Sequence, residues 1–215
     1  AESVQVNTDL KLKKIQEVLD IEPILTSNSI NKASTIANYY LHPIGEVLFS
    51  FLPTILRKKK KSIELKKYRK AASLEKTLKP KLPKLTNEQS ECFEKILKSQ
   101  NQEFLLFGVT SSGKTEIYKN VIKEYLSRGK SVLVLVPEIF LTPQIYESLN
   151  KAFKGSIEIF HSGLTDLQRY KVWLDASSDS PKVYVGTRSA VFLPITNLGL
   201  VIFDEAHHAP SKFFS

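Results

Sequence analysis

The chain has 215 residues, 42% of them hydrophobic, which is enough for one substantial domain and a smaller appendage. A single cysteine, Cys92, excludes a disulfide framework and a cysteine-based zinc site within the chain, and it favours a reducing compartment. No apolar run approaches the roughly 18 residues of a membrane span, and the first residues lack the apolar core of a signal peptide. The sequence therefore predicts a soluble, cytoplasmic protein. It contains no methionine, so we expect it to be a piece of something longer.

The net charge of +9 is concentrated in one short segment. Residues 57–84 carry thirteen basic residues against Glu64 and Glu75, whereas the segments on either side are slightly acidic or neutral. Such a concentration favours polyanions, because each phosphate that is neutralised releases counterions. A charged connecting helix that only faces solvent is the alternative interpretation.

Residues 1–56 predict a small helical region. Apolar residues recur at near-helical spacing up to Asp20, a second helix capped within residues 27–29 ends before Pro43, and a third runs from there to Pro53. Residues 57–85 follow as a basic, mostly exposed helix and a proline-punctuated linker, although disorder is also compatible with their composition.

The third segment, residues 86–215, opens with a capping box of Thr86 and Gln89 and then carries the sequence FLLFGVTSSGKT at 104–115. Two glycines separated by four residues and followed by Lys and Thr have the spacing of a phosphate-binding loop. An apolar run at 104–107 predicts the preceding strand, and 116–126 predicts the following helix. In such a loop, backbone N–H groups and the helix dipole bind phosphates, the lysine reaches the β- and γ-phosphates, and the threonine hydroxyl ligates Mg²⁺. The predicted loop residues are Gly108, Val109, Thr110, Ser111, Ser112, Gly113, Lys114 and Thr115.

Strand and helix patterns alternate after this loop. Strands are predicted at 131–136, 157–160, 183–185 and 200–203, with helices beginning near Pro143 and Leu164. This alternation indicates an α/β fold, a parallel sheet with helices on both faces, accompanied by the small helical N-terminal region.

The last strand ends in Asp204 and Glu205. Carboxylates at the C-terminal end of a parallel strand lie on the edge where ligands bind, so Asp204 could hold Mg²⁺ opposite Thr115, and Glu205 could orient or deprotonate the attacking water.

The same edge should carry polar residues from the other strand ends. They offer hydroxyls, amides, backbone N–H groups and one guanidinium, which suit a sugar-phosphate backbone contacted without reading bases. Trp173, in contrast, is expected in the core. The candidate DNA-binding residues are Pro137, Thr142, Gln144, His161, Gly186, Thr187, Arg188 and Ser189.

Five blocks together resemble the PriA-type replication-restart helicases of bacteria (primosomal protein N′), a family of helicase superfamily 2. They are GVTSSGKTEIY at 108–118, LVLVPEIFLTPQ at 133–144, HSGL at 161–164 with Arg169 and Trp173 following, VGTRSAVFLP at 185–194 and NLGLVIFDEAH at 197–207. Residues 18–26 and 37–53 are similar to the segment that joins this family's N-terminal DNA-binding domain to its helicase core.

The resemblance implies that 86–215 is a RecA-like first helicase lobe with motifs Q, I, Ia, Ib and II, and that 1–56 is a helical remnant preceding it. It implies ATP-driven 3′-to-5′ unwinding of single-stranded or forked DNA at stalled forks, with primosome and helicase-loading proteins as partners. Gln89 matches the adenine-sensing position, and Asp204, Glu205 and His207 match motif II, in which His207 links ATP state to DNA grip. Zinc is expected only outside this chain, in the family's cysteine-rich insertion.

Two other functions remain open at this stage. One is a double-stranded DNA translocase of the same superfamily, and the other is a catalytically idle DNA-binding module anchored by the basic segment. If the second lobe and its arginine finger are absent, hydrolysis by the chain itself should be slow, since that arginine is worth about 10³ to 10⁵ in rate in related phosphoryl-transfer proteins.

Overall fold

A computed structural model describes residues 23–57, 82–99, 103–108, 112–137 and 143–204. The predicted helix before Asp20, the predicted basic helix at 57–79 and the end of motif II lie outside these residues, apart from Arg57.

The N-terminal unit, defined here as residues 23–57, contains three helices: α1 (Ser27–Tyr39), α2 (Ile44–Ser50) and α3 (Thr54–Arg57). Thr26 caps α1 by accepting a hydrogen bond from the Ser29 backbone N–H, one residue before the predicted cap. The two prolines act as expected, because α2 begins after Pro43 and ends before Pro53, but α3 was not predicted. Small and apolar side chains pack between α1 and α2, with Ala33, Ala37, Val47 and Phe51 buried.

The rest of the described chain alternates helices and strands. Its elements are α4 (Asn87–Lys98), α5 (Lys114–Ser127), β1 (Ser131–Leu135), α6 (Pro143–Ala152), β2 (Ile157–Phe160), α7 (Asp166–Ala176), β3 (Val183–Gly186), a 3₁₀ helix (Arg188–Phe192) and β4 (Leu198–Phe203). The capping box of α4 forms as predicted, since the Thr86 and Gln89 side chains exchange hydrogen bonds with each other's backbone N–H groups.

The four described strands form one parallel sheet in the order β2-β3-β1-β4. Side chains alternate between its two faces. Val132, Val134 and Val136 pack with residues of α5 and α6, including Ile122 and Leu149. Leu133, Leu135 and Tyr184 pack on the opposite face with residues of α7, including Tyr170 and Trp173. The predicted α/β architecture, with helices on both faces, is confirmed.

The strand predicted at 104–107 is wrong. These residues have no regular secondary structure, and the side chains of Phe104, Leu105 and Phe107 are 45%, 83% and 92% exposed. The burial predicted for β4 is wrong as well, since Leu198, Val201 and Phe203 are 39–41% exposed. Within the described residues β4 pairs only with β1, and no strand lies along its other edge.

The N-terminal unit packs against the sheet domain through Trp173. The indole of Trp173 is 6% exposed and donates a hydrogen bond of 2.9 Å to the Phe51 carbonyl oxygen. The Phe51 ring meets Phe192 edge to face, with centroids 5.2 Å apart. Trp173 is therefore a core residue, as predicted from the sequence.

No helix in the described part of the chain is long and apolar enough to cross a membrane.

A charged cluster stabilises the amino-terminal edge of the sheet, where β3 begins. The Lys182 ammonium lies 2.8 Å from Asp175 Oδ2 and 3.1 Å from Glu158 Oε1, and the Tyr184 hydroxyl lies 3.4 Å from Asp175. Burial opposes the charge on Lys182, but its two carboxylate partners outweigh this and raise the pKa of Lys182. Burial, reinforced by Asp175, also raises the pKa of Tyr184.

Replacing Asp175 with Asn should lower the free energy of unfolding by about 1–3 kcal/mol, because Lys182 loses a charged partner at a site where its side chain is only 19% exposed. Urea denaturation followed by circular dichroism measures the change. Asp179→Asn is the matched control, because Asp179 is an exposed residue three positions after the end of the same helix. An equal effect of the two variants would contradict this role for Asp175.

The difference between wild type and Asp175→Asn should also depend on pH. A pKa raised by folding contributes stability that is fully present below the unfolded value, 10.5 for Lys182, and is lost as the pH rises through the folded value. The advantage of the wild type should therefore be constant at neutral pH and decrease above about pH 10.5. The same denaturation series at increasing pH measures it.

Candidate nucleotide and nucleic-acid site

The register of the sheet brings the C-terminal ends of the four strands to one level. Leu135 of β1 is opposite Gly186 of β3 and Phe203 of β4, and Phe160 of β2 is opposite Gly186. Backbone hydrogen bonds continue one residue further, from Thr187 N–H to the Phe160 oxygen (3.3 Å) and from Asp204 N–H to the Leu135 oxygen (2.9 Å). The residues that follow these ends, His161, Thr187, Val136 with Pro137, and Asp204, form what we call the carboxyl rim.

Helix α5 carries Lys114 at its start. The C-terminal part of α5 lies against the first residues of β4, because a Cβ atom on Gly199 would be 2.8 Å from Tyr125 and 2.7 Å from Lys130. With 14 residues and a rise of about 1.5 Å per residue, the helix extends about 20 Å from this contact to Lys114. A course antiparallel to β4 would bring Lys114 to the end of the sheet that carries Asp204.

Contacts between its two described ends close the predicted phosphate-binding loop. The Lys114 ammonium donates a 2.7 Å hydrogen bond to the Gly108 carbonyl oxygen, and a Cβ on Gly108 would lie 2.7 Å from Ser112 Oγ. Gly113 caps α5 with φ +82°, a left-handed conformation that favours glycine. These contacts explain why the two glycines stand at their positions. Val109, Thr110 and Ser111 lie outside the described residues.

Gln89 joins α4 to this loop. Its Oε1 accepts a hydrogen bond from the Thr86 N–H at 3.1 Å, and its Nε2 lies 3.4 Å from the Ser112 carbonyl oxygen. A Cβ on Gly113 would lie 2.3 Å from the same Nε2. Both atoms of the amide are thus engaged by the protein, so contact with an adenine edge would require exchange of one of these hydrogen bonds.

The nucleic-acid candidates differ in how accessible they are. Arg188 and Ser189 are exposed at the start of the 3₁₀ helix, whereas Thr187 is only 2% exposed. Gly186 is buried, and a Cβ there would lie 2.5 Å from both Ala190 Cβ and the Phe160 oxygen. Gly186 and Thr187 therefore shape the turn that presents Arg188 and Ser189, and the Thr187 side chain itself is not accessible.

His161 lies next to this turn at the end of β2. Its Nδ1 accepts a 3.1 Å hydrogen bond from the Gly163 N–H, so the neutral ring carries its proton on Nε2. A donor held in this way suits a phosphate or sugar oxygen. Gln144 is the second residue of α6, whereas Thr142, Glu205 and His207 lie outside the described residues.

Arg169 is a basic residue at the rim that was not among the site residues predicted from the sequence. Its guanidinium donates to the Ser162 carbonyl oxygen, and its Nε is buried without a hydrogen-bond partner among the described residues. In the sequence it stood out only as part of the resemblance block that begins with HSGL at 161–164, with no role attached to it. Its identified contact fixes the loop that carries His161.

The described residues contain no group of three or more His, Cys, Asp or Glu side chains that could hold a metal ion. A Mg²⁺ ion bound with a nucleotide requires only one or two protein ligands, since phosphates and waters supply the rest. The tight loop around Gly108 and the exposed Thr115 at the start of α5 fit such a nucleotide complex.

Comparison with known proteins agrees with this geometry. The sequence profile described as DEAD/DEAH box helicase matches residues 86–215, and the profile described as the 3′ DNA-binding domain of PriA matches residues 2–53. This second match includes residues 18–26 and 37–53, whose sequence resembles the segment that joins the family's N-terminal DNA-binding domain to its helicase core.

Curated relatives carry the name replication restart protein PriA. The protein of Rickettsia felis is 34% identical over 92% of this chain and 29% of its own length. The protein of Haemophilus influenzae is 33% identical over 94% of the chain and 37% of its own length. The protein of Bacillus subtilis is 42% identical over 60% of the chain and 16% of its own length. The chain thus spans well under half of these relatives, and it belongs to the DEAD/DEAH box helicase family, in the group of the PriA replication-restart helicases.

Proposed function

We propose that this chain is the ATP- and DNA-binding first lobe, with its N-terminal helical unit, of a 3′-to-5′ DNA helicase that acts in replication restart. The observation that carries the proposal is the strand register, which brings His161, Thr187 and Asp204 to one end of the sheet, while α5 would extend Lys114 toward the same end from its contact with the start of β4. Nucleotide and DNA could then be bound on one rim. The 3′-to-5′ polarity, the bacterial cytoplasm as location and the primosome proteins as partners rest on family membership.

The nucleotide would bind where the loop now closes on itself. Lys114 exchanges the Gly108 oxygen for the β- and γ-phosphates, a stronger acceptor for an ammonium group. The first N–H groups of α5 and the positive end of its dipole face the same phosphates. Thr115 and Asp204 are the proposed Mg²⁺ ligands, and the bound ion would neutralise phosphate charge.

Hydrolysis would additionally use Glu205 to orient the attacking water and His207 to link nucleotide state to DNA. Gln89 would sense nucleotide through its contact with Ser112, which ties α4 to the loop. The 215-residue chain by itself should turn over ATP slowly, because a transition-state arginine from a second lobe is worth about 10³ to 10⁵ in rate.

The DNA strand would follow the carboxyl rim. Arg188 supplies charge, Ser189 a hydroxyl and His161 an Nε2–H donor, and all three suit the backbone instead of base edges. The basic segment 57–84 would add affinity that depends on salt.

Replacing Lys114 with Ala should weaken binding of a fluorescent ATP analogue with Mg²⁺ by about 10- to 150-fold, the value of a hydrogen bond to a charged group. Lys123→Ala is the control, because Lys123 is exposed on the same helix and its replacement removes the same charge. Titration of the analogue measures both variants. Failure of the wild type to bind nucleotide would favour the idle DNA-binding module.

Gly113→Ala and Gly129→Ala form a second pair. Both residues have left-handed φ values, +82° and +71°, so each variant should lose about 1–2 kcal/mol of stability. A Cβ atom added at Gly113 would collide with the Gln89 amide, whereas a Cβ atom added at Gly129 would have no other atom within 4 Å. Urea denaturation should show similar losses, and only Gly113→Ala should also weaken nucleotide binding. Equal nucleotide affinities would argue against a role for this capping geometry.

Arg188→Ala should weaken binding of single-stranded DNA to a similar degree for all sequences and reduce the slope of log K against log salt by about 0.7, because one phosphate contact is lost. Lys130→Ala is the matched control, because Lys130 is exposed at the opposite end of the sheet, just before β1. Fluorescence anisotropy at several salt concentrations measures the slopes. Equal slopes for Arg188→Ala and wild type would remove Arg188 from the DNA contact.

A further inference from the structure

We propose that a cleft between the N-terminal unit and the 3₁₀ helix binds one unstacked base of the DNA strand, and that it prefers bases with an exocyclic amino group. This inference rests on the proposed DNA binding and adds to it a subsite away from the sheet. The cleft measures about 480 Å³, within the roughly 300–1,000 Å³ of small-molecule pockets. It is lined by residues of α1, α2, the turn between them and the 3₁₀ helix, including Tyr40, His42, Glu46, Val47, Ser50 and Phe192.

The lining has the mixed character that a base requires. Val47 is buried and Phe192 half-buried, so they supply an apolar floor, while Tyr40 is 60% exposed at the edge and presents a ring for stacking. Every base has a π-face, so aromatic stacking binds single strands irrespective of sequence. An aromatic side chain exposed to this extent beside a cleft is suited to such a contact.

The polar side of the cleft distinguishes a base from a phosphate. Glu46 places its carboxylate there, 2.9 Å from His42 Nε2, and Ser50 lies on the same helix. A carboxylate repels phosphate but accepts a hydrogen bond from an exocyclic amino group, as it does from cytosine. Cytosine and adenine carry such a group and thymine does not, so oligo(dC) and oligo(dA) should bind more tightly than oligo(dT).

The cleft continues the proposed DNA path. Phe192 is the last residue of the 3₁₀ helix that begins at Arg188. At about 2.0 Å of rise per residue these two residues are about 8 Å apart along the helix, a distance that neighbouring nucleotides of a single strand can span. A strand whose phosphate contacts Arg188 can therefore place a nearby base against Phe192.

The two walls of the cleft are held together by buried contacts. Phe192 packs edge to face on Phe51, which is 7% exposed, and the Phe51 carbonyl oxygen accepts the hydrogen bond from Trp173. The cleft is thus formed before any ligand binds. Trp173 is the single tryptophan of the chain, so its fluorescence reports directly on this junction.

The test measures binding of short labelled oligo(dC), oligo(dA) and oligo(dT) to the 215-residue chain by fluorescence anisotropy. Tyr40→Ala should weaken binding of oligo(dC) and oligo(dA) by about 5- to 150-fold, the range for loss of one base stack. Glu46→Gln should bring the affinities for oligo(dC) and oligo(dT) closer together. Phe49→Ala is the control, because Phe49 is an aromatic residue of α2, 52% exposed, that does not line the cleft.

Two measurements separate failure of this inference from failure of the proposed function. Arg188→Ala should weaken all three oligonucleotides alike, and if it does so while Tyr40→Ala and Glu46→Gln bind as the wild type does, the base cleft is refuted and the DNA-binding rim stands. That outcome would leave a protein partner as the occupant. If Arg188→Ala has no effect either, the proposed DNA contact fails. Unchanged Trp173 emission in Tyr40→Ala shows that the junction is intact; if it shifts, Glu46→Gln, a change at an exposed residue, decides the question.

Discussion

The parallel register of β1 with its two neighbours is the constraint on which the candidate site depends. Because β1 pairs with both β3 and β4, the ends of all three strands are fixed at one level, and β2 joins them through β3. Helix α5 contacts Gly199 near its last turn, and from there it would extend Lys114 toward the same level. A slip of one residue in β4 would move Asp204 away from the rim and turn its neighbours to the opposite face. The chemistry of the loop and the register of the sheet are therefore not independent properties of this chain.

A second constraint is the attachment of the N-terminal unit. Three short helices with a small apolar core would be only marginally stable alone, since a small unit buries a small fraction of its surface. Packing of Ile24, Leu52, Ile55 and Leu56 on the cluster around Trp173 enlarges that core. The hydrogen bond of the buried Trp173 indole also fixes the orientation of the two units, because leaving the indole N–H unpaired would cost about 1–3 kcal/mol of desolvation. The region that matches a DNA-binding profile is thus in direct contact with the 3₁₀ helix, through Phe51 and Phe192.

Features set by local chemistry were readily predicted from the sequence. The Thr86 capping box, the strand at β1 and the helix after Gly113 all follow from side chains within a few residues of one another. The errors arose where an element depends on a distant partner. Residues 104–107 have the apolar composition of a buried strand, but strand formation also requires an edge to pair with, and composition does not contain that information. Arg169 was missed because its role depends on the Ser162 carbonyl oxygen, seven residues earlier and across a loop. The 3₁₀ helix was missed because it is favoured by Gly186, whose missing Cβ leaves room for the Ala190 side chain and for the Phe160 carbonyl oxygen.

The closed state of the loop suggests how nucleotide binding could affect the rest of the molecule. The Lys114 ammonium donates a hydrogen bond to the Gly108 carbonyl oxygen, and the Gln89 amide donates one to the Ser112 carbonyl oxygen. These two oxygens lie on either side of the proposed phosphate position. A triphosphate would replace the first of these bonds and, because Ser112 directly precedes Gly113 at the start of α5, would change the environment of the second. Gln89 is fixed to α4 by its capping box, so a shift at Ser112 reaches α4 through one side chain. Helix α5 carries the other end of the coupling, because its last turn lies against the first residues of β4, the strand that leads to Asp204. Nucleotide-dependent movement in this lobe would therefore travel along α4 and α5, whereas α7 and the N-terminal unit, joined by buried apolar contacts and the Trp173 hydrogen bond, provide the fixed frame.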